Sequence, residues 1–301
     1  MKGKHTILRM LFLTVAITGL THFANAQVSR GKVTEGLTLD SRLLDKEVRY
    51  SIYLPFDYET SQRYYPVVYL LHGYTDNDMG WIQFGEAHLK ADQAIAQGKI
   101  PPMIIVMPDA GVSWYINNYD NSVPYEDFFF DEFMPHVESK YRIRQKKRYR
   151  GVAGLSMGGY GALVYSLKHP DHFAACAAFS SAIYTPEQFK EFPQERWKNT
   201  ESVVYGPGLK GEERITQHFL DNNAFHIVKN TDKKKLKSVR YYIDCGDDDG
   251  FSIANNSFHN LLMKQEIPHE YRVRDGRHHW PYWRSGLIDG LEFIGKSFHQ
   301  F

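Results

Sequence analysis

The sequence predicts an α/β fold, with a mostly parallel central sheet flanked by helices. Three observations carry that prediction. Residues 66–71 and 103–107 are continuous apolar runs, as in strands buried on both faces of a parallel sheet. Segments with helical spacing separate such runs, which implies right-handed crossovers. Residues 33–39 and 47–54 instead alternate apolar and polar side chains, as half-buried antiparallel strands do.

The remaining elements follow in order. Residues 81–97 read as a helix, stopped at Gly98. Residues 127–140 read as a second helix, with Pro135 a local weak point. A short strand, Tyr149 to Ala153, enters a glycine-rich turn at residues 154–159, and a helix follows over 160–167. Residues 173–179, 239–244 and 271–273 are further strands, with a helix over 255–264 between the last two. A closing helix starts near Ser285. Residues 182–235 break the rhythm, being rich in Lys, Glu and Pro, and read as an insertion over the strand ends.

The N-terminus is set apart from the fold. Lys2, Lys4 and Arg9 precede an apolar run at 10–20 that is too short to span a bilayer, and Ala24-Asn25-Ala26 is a small-x-small cleavage site. Residues 1–26 therefore read as a signal peptide cleaved after Ala26. Residues 27–301 then read as one domain, periplasmic or secreted, without stable membrane insertion. Cleavage removes three positive charges and no acidic ones, so the formal net charge falls from +1 to −2. That balance offers no electrostatic case for nucleic acid. Cys176 and Cys245 read as buried thiols, since two cysteines in a chain of 301 residues make no disulfide framework.

The chemistry centres on Gly154-Leu155-Ser156-Met157-Gly158-Gly159. A serine on a tight strand-to-helix turn projects its hydroxyl, and glycines two before and two after let the backbones cross closely. The turn aims the first helix amides, Met157 among them, at a developing oxyanion. A serine hydroxyl is a poor nucleophile at neutral pH and needs a histidine base oriented by a carboxylate. Candidates follow in that chain order: Asp247-Asp248-Asp249 after one strand, His278-His279 after the next. By chemistry alone the three aspartates are equal. The acidic run lacks the further oxygen ligands a calcium loop needs, and the histidine pair has no third ligand at helical spacing, so no metal is assigned. Leu71-His72-Gly73-Tyr74 ends a buried strand. There Gly73 permits the unusual backbone that would turn the Tyr74 amide inward as second oxyanion donor, and His72 reads as structural. Trp114, Tyr115 and Trp280 are candidate substrate contacts, aromatics at a cleft rim that would stack on sugar or phenolic rings.

Together, Leu70-Leu71-His72-Gly73, Pro108-Asp109-Ala110-Gly111, the Ser156 turn, Cys245-Gly246-x-x-Asp249 and Gly276-x-His278-x-Trp280 resemble the esterase D-like branch of the α/β-hydrolases. That branch includes the carbohydrate esterase family 1 feruloyl and acetylxylan esterases, S-formylglutathione hydrolases and mycolyltransferase antigens. The resemblance covers roughly residues 30–300. It implies the α/β-hydrolase fold, Asp249 as the acid, His278 as the base and no cofactor. The family's Gly-Gly-His is Gly276-Arg277-His278 here, and Asp248 stays open as an alternative acid. The expected function is a secreted serine esterase cutting acyl groups from polysaccharides. An acyltransferase, another ester or thioester hydrolase, and an inactive sugar-binding relative are the alternatives.

Overall fold

A computed structural model describes residues 30–298. The predicted signal peptide, residues 1–26, lies outside these residues. The central sheet has eight strands: β1 (Lys32–Ser41), β2 (Lys46–Leu54), β3 (Val67–Leu71), β4 (Ile104–Pro108), β5 (Arg150–Leu155), β6 (Ala175–Phe179), β7 (Arg240–Gly246) and β8 (His269–Arg274). Their spatial order is β1-β2-β4-β3-β5-β6-β7-β8. Both neighbours of β2 run antiparallel to it, and every other pairing is parallel. This is the sheet that the two alternating segments and the later apolar runs predict.

Side chains of β3 go alternately to the two faces. Val67, Tyr69 and Leu71 join one core and Val68 and Leu70 the other, which is why the run is continuously apolar. On the second face lie helices α1 (Gly80–Gln83), α2 (Ala87–Ala96) and the C-terminal helix. On the first lie the segment 125–140, the helix after Ser156 and the insertion. Segment 125–140 comprises α3 (Tyr125–Asp127), a widened π turn (Phe128–Phe133) and α4 (Met134–Lys140). Pro135 has no N–H to give and its ring crowds the carbonyl four residues back, so the extra residue of the wide turn sits directly ahead of it. Helix α5 (Met157–Lys168) follows β5.

Between β6 and β7 the insertion forms α6 (Pro186–Lys190), α7 (Gln194–Arg196), α8 (Ser202–Tyr205), α9 (Gln217–Asp221), α10 (Ala224–Asn230) and α11 (Lys233–Leu236). It has its own packing: Trp197 is fully buried, Phe189 stacks on Phe219 at 4.2 Å, and buried Arg214 donates to the carbonyls of Phe189, Lys190 and Phe192. Helices α12 (Ser252–Lys264) and α13 (Trp280–Ser297) complete the layers.

Two helices depart most from expectation. The predicted helix 81–97 is broken at Phe84-Gly85-Glu86, where Glu86 takes a left-handed backbone (φ 52°). The last helix starts at Trp280, not near Ser285, because the His279 ring accepts from the Tyr282 amide at 3.2 Å and Pro281 fits the first turn. Cys176 and Cys245 are free, and burial pushes both thiols up, Cys176 to about 12.

Candidate active site

Ser156 sits between β5 and α5 with φ 54° and ψ −117°, a backbone that non-glycine residues seldom adopt. The bend is affordable because its glycines touch: a Cβ on Gly154 would lie 2.4 Å from the Gly158 carbonyl oxygen. The turn is held by the Ser156 amide donating to the Phe179 carbonyl at 2.9 Å, and by the Ser156 carbonyl accepting from Ala182 at 3.0 Å. Met157 is the first residue of α5, where amides have no intrahelical acceptor.

His278 Nε2 lies 2.9 Å from Ser156 Oγ, and His278 Nδ1 lies 2.9 Å from Asp249 Oδ2. Asp249 is buried and also accepts the Phe251 amide at 2.9 Å, whereas Asp247 and Asp248 are exposed with Asp275. Burial of the Asp249 carboxyl favours its neutral form. The hydrogen bond from His278 and the Phe251 amide outweigh that, and its pKa lies below the ordinary value. The imidazole is boxed by the Trp283 ring, edge-on at 4.8 Å, and by Phe251 at 5.1 Å. Beneath the two loops, buried Asp244 takes both Arg274 bonds (3.0 and 3.1 Å) and the hydroxyls of Tyr242 and Tyr282. It thereby rivets β7, β8 and α13 under Asp249 and His278. Neither Asp244 nor Arg274 carries a signal in the sequence beyond its place at a strand end.

The loop after β3 supplies the other wall. Gly73 is not in a left-handed conformation; Thr75 is (φ 63°). Glycine is needed at 73 for space, since a Cβ there would meet Leu155 Cδ1 at 2.7 Å and Ser156 Cβ at 3.7 Å. His72 is buried, with Nε2 accepting the Ala110 amide at 2.8 Å and Nδ1 on the Gly73 carbonyl at 2.8 Å. Acceptance at Nε2 puts the proton on Nδ1, so the ring donates to Gly73. In a trans peptide the C=O and N–H point opposite ways, so the Tyr74 N–H faces away from His72.

An open cleft of about 480 Å³ adjoins the serine, lined by Tyr74, Asp76, Phe84, Ser156, His278 and Trp280 among others. A larger groove of about 720 Å³ lies at the far end of α5, around His169, His172 and His226, away from Ser156. Of the aromatics expected at the rim, Trp280 lines the cleft. Tyr115 does not: it is fully buried, its hydroxyl donates to the His72 carbonyl at 3.0 Å, and its ring packs edge-on against Tyr125 and Tyr165. Trp114 is also buried, and its ring lines a closed pocket of about 10 Å³ with Tyr160, Ala182, Tyr184 and Phe189. Trp114 and Tyr115 take left-handed backbone in succession (φ 55° and 62°), and both rings end inside. Phe84, exposed on the cleft wall, had no sequence signal.

A family model described as "Putative esterase" matches residues 41–294. The chain belongs to that esterase family. An esterase of Mycobacterium tuberculosis is 31% identical over 249 residues, covering 76% of this chain and 52% of that protein. The chain thus spans about half the length of this mycobacterial relative. An acetyl esterase of Caldicellulosiruptor saccharolyticus is 27% identical over 233 residues, covering 76% of this chain and 83% of that one. Among solved structures, a ferulic acid esterase is 34% identical with a TM-score of 0.76, covering 89% of this chain and 99% of its own. The chain's sheet is that of the α/β-hydrolase fold.

Proposed function

We propose that the chain is an exported serine esterase, periplasmic or secreted, that releases feruloyl or acetyl groups from polysaccharide esters. The observation that carries this reading is the continuous hydrogen-bonded line from Ser156 Oγ through His278 to buried Asp249. The 34% identity to a ferulic acid esterase and the acetyl esterase relative support the substrate class.

Ser156 attacks the ester carbonyl as His278 Nε2 takes its proton, and Asp249, kept ionised, holds the Nδ1–H and steadies the imidazolium. The amides of Met157 and Tyr74 receive the oxyanion. His278 then protonates the departing alcohol, leaving an acyl-Ser156, and a water activated by the same imidazole releases the acid. Every proton in this cycle passes through the chain's own residues. Export rests on the charged, apolar and small-residue pattern of residues 1–26.

Wild-type protein, purified after export, is expected to begin at Gln27, to release ferulate from methyl ferulate or acetate from acetylated xylan, and to take a fluorophosphonate label. Ser156→Ala is expected to lose the label and to drop kcat by about 10⁴-fold or more with the fold intact. A Ser156→Ala protein that labels and turns over like wild type overturns the mechanism.

A further inference from the structure

The cleft beside Ser156 has an aromatic wall that the reaction itself does not use. Phe84 is 51% exposed there, and its ring lies 5.7 Å from that of Trp280, tilted by 37°. A lone exposed phenylalanine is ordinary. This one is mounted on a rigid frame. Trp280 is held edge-on by Trp81 at 5.3 Å and by Trp283 at 5.5 Å. Gly85 lets Trp280 lie against the break between α1 and α2, since a Cβ on it would sit 3.0 Å from Trp280 Cζ3. Glu86, next in the break, is tied to Arg284 of α13 at 2.8 Å. Thr75 and Asp76, from the loop after β3, line the same cleft.

The chemistry says which half of an ester this wall meets. His278 hands its proton to the departing alcohol oxygen, so the alcohol portion must lie on the imidazole's side of Ser156. Trp283 touches that imidazole, and Trp280 with Phe84 continues the wall outward from it. The acyl portion then points away from the imidazole, toward Tyr74 on the other side of the same open cleft. A sugar ring fits the alcohol side. One face of a pyranose or furanose presents C–H bonds polarised by the ring and hydroxyl oxygens, which complements the negative π face of an aromatic ring, while its edge carries hydroxyls for a carboxylate to accept.

We infer that Phe84 and Trp280 form a ledge that binds a sugar ring of the ester's alcohol portion, with Asp76 accepting from a sugar hydroxyl. The inference rests on the esterase reading above and adds to it the side and the residues that recognise the carbohydrate.

The test compares two esters of one acid, methyl ferulate and a feruloylated arabinoxylan oligosaccharide, on the full chain. The quantity read is the ratio of kcat/KM for the oligosaccharide ester to that for methyl ferulate. Phe84→Ala is expected to lower this ratio about tenfold, mainly through KM for the oligosaccharide, and Phe84→Tyr to restore it. An unchanged ratio in Phe84→Ala overturns the ledge and leaves the esterase reading standing. Should wild type turn over neither ester, the esterase reading fails and the ledge is judged by binding of xylohexaose alone. Quenching of tryptophan fluorescence in wild type that is lost in Phe84→Ala supports it, and no quenching in wild type overturns it.

Discussion

The two flanks of Ser156 are built from the same kinds of residue and end in opposite states. On the His278 flank, Phe84 and Trp280 edge an open cleft of about 480 Å³. On the Tyr160 flank, Trp114, Tyr160, Tyr184, Phe189, Tyr205 and Phe219 close around about 10 Å³. The difference lies in what covers them. The insertion between β6 and β7 packs onto α5 and the loop after β4, where the Tyr119 amide donates to the Val204 carbonyl at 2.8 Å, and it seals one flank only. An aromatic beside a nucleophile is therefore a surface or a core residue according to which distant segment lies over it.

The strongest way to break this comparison is to measure stability on both sides. Trp197→Ala, inside the insertion, is expected to cost about 3–5 kcal/mol by urea unfolding, because it empties a fully buried site and orphans the Gly206 carbonyl that accepts its Nε1–H at 3.0 Å. Phe84→Ala, half exposed, is expected to change stability by less than about 0.5 kcal/mol. Comparable losses would mean that the open flank is as much core as the closed one.

Next in size is the loop between the flanks. If His72 orients the Gly73–Tyr74 peptide, His72→Gln lowers kcat by about 10–100-fold with KM little changed. That is part of what one oxyanion donor contributes. His72→Asn, whose side-chain amide reaches as far as Nδ1, keeps most of the rate. Equal kcat in both variants would reduce His72 to a packing role.

The smallest effect concerns how the closed flank is fastened. Lys168 Nζ bridges Glu126 at 2.6 Å and Asn222 of the insertion at 2.9 Å, and His169 joins Glu126 at 2.6 Å. Burial of the Glu126 carboxyl favours its neutral form. The bonds from His169 and Lys168 prevail, and its pKa falls below the ordinary carboxylate value. A depressed folded-state pKa stabilises above the unfolded value, and that contribution is lost as pH falls through the folded one. Glu126→Gln is therefore expected to lower Tm at neutral pH, by a margin that shrinks from about pH 5 to about pH 3. A margin that stays constant over that range would exclude the ion pair as the cause.

Legibility in the sequence followed the range of the interactions. The turn at Ser156 was readable because its glycines, its strand and its helix all lie within a dozen residues of the serine. His278 and Asp249 were nearly so, each standing just after a strand. Choosing Asp249 over Asp248 needed geometry, because adjacent loop aspartates differ only in where the chain points them. Gly73 was singled out for a backbone angle and is needed instead for room against Leu155. The break at Phe84-Gly85-Glu86 was hidden, because its compensation comes from Trp280 and Arg284, almost two hundred residues away.

The sequence by itself determined the sheet, most of the helices that flank it, and the loops that bring a carboxylate and His278 to Ser156. Periodicity, glycine turns and chain order are local properties that survive without a third dimension. Only the tertiary structure decided which aromatics meet solvent. Tyr115 went to the core and Phe84 to the cleft because burial depends on what packs over a side chain, and those covering segments are remote along the chain.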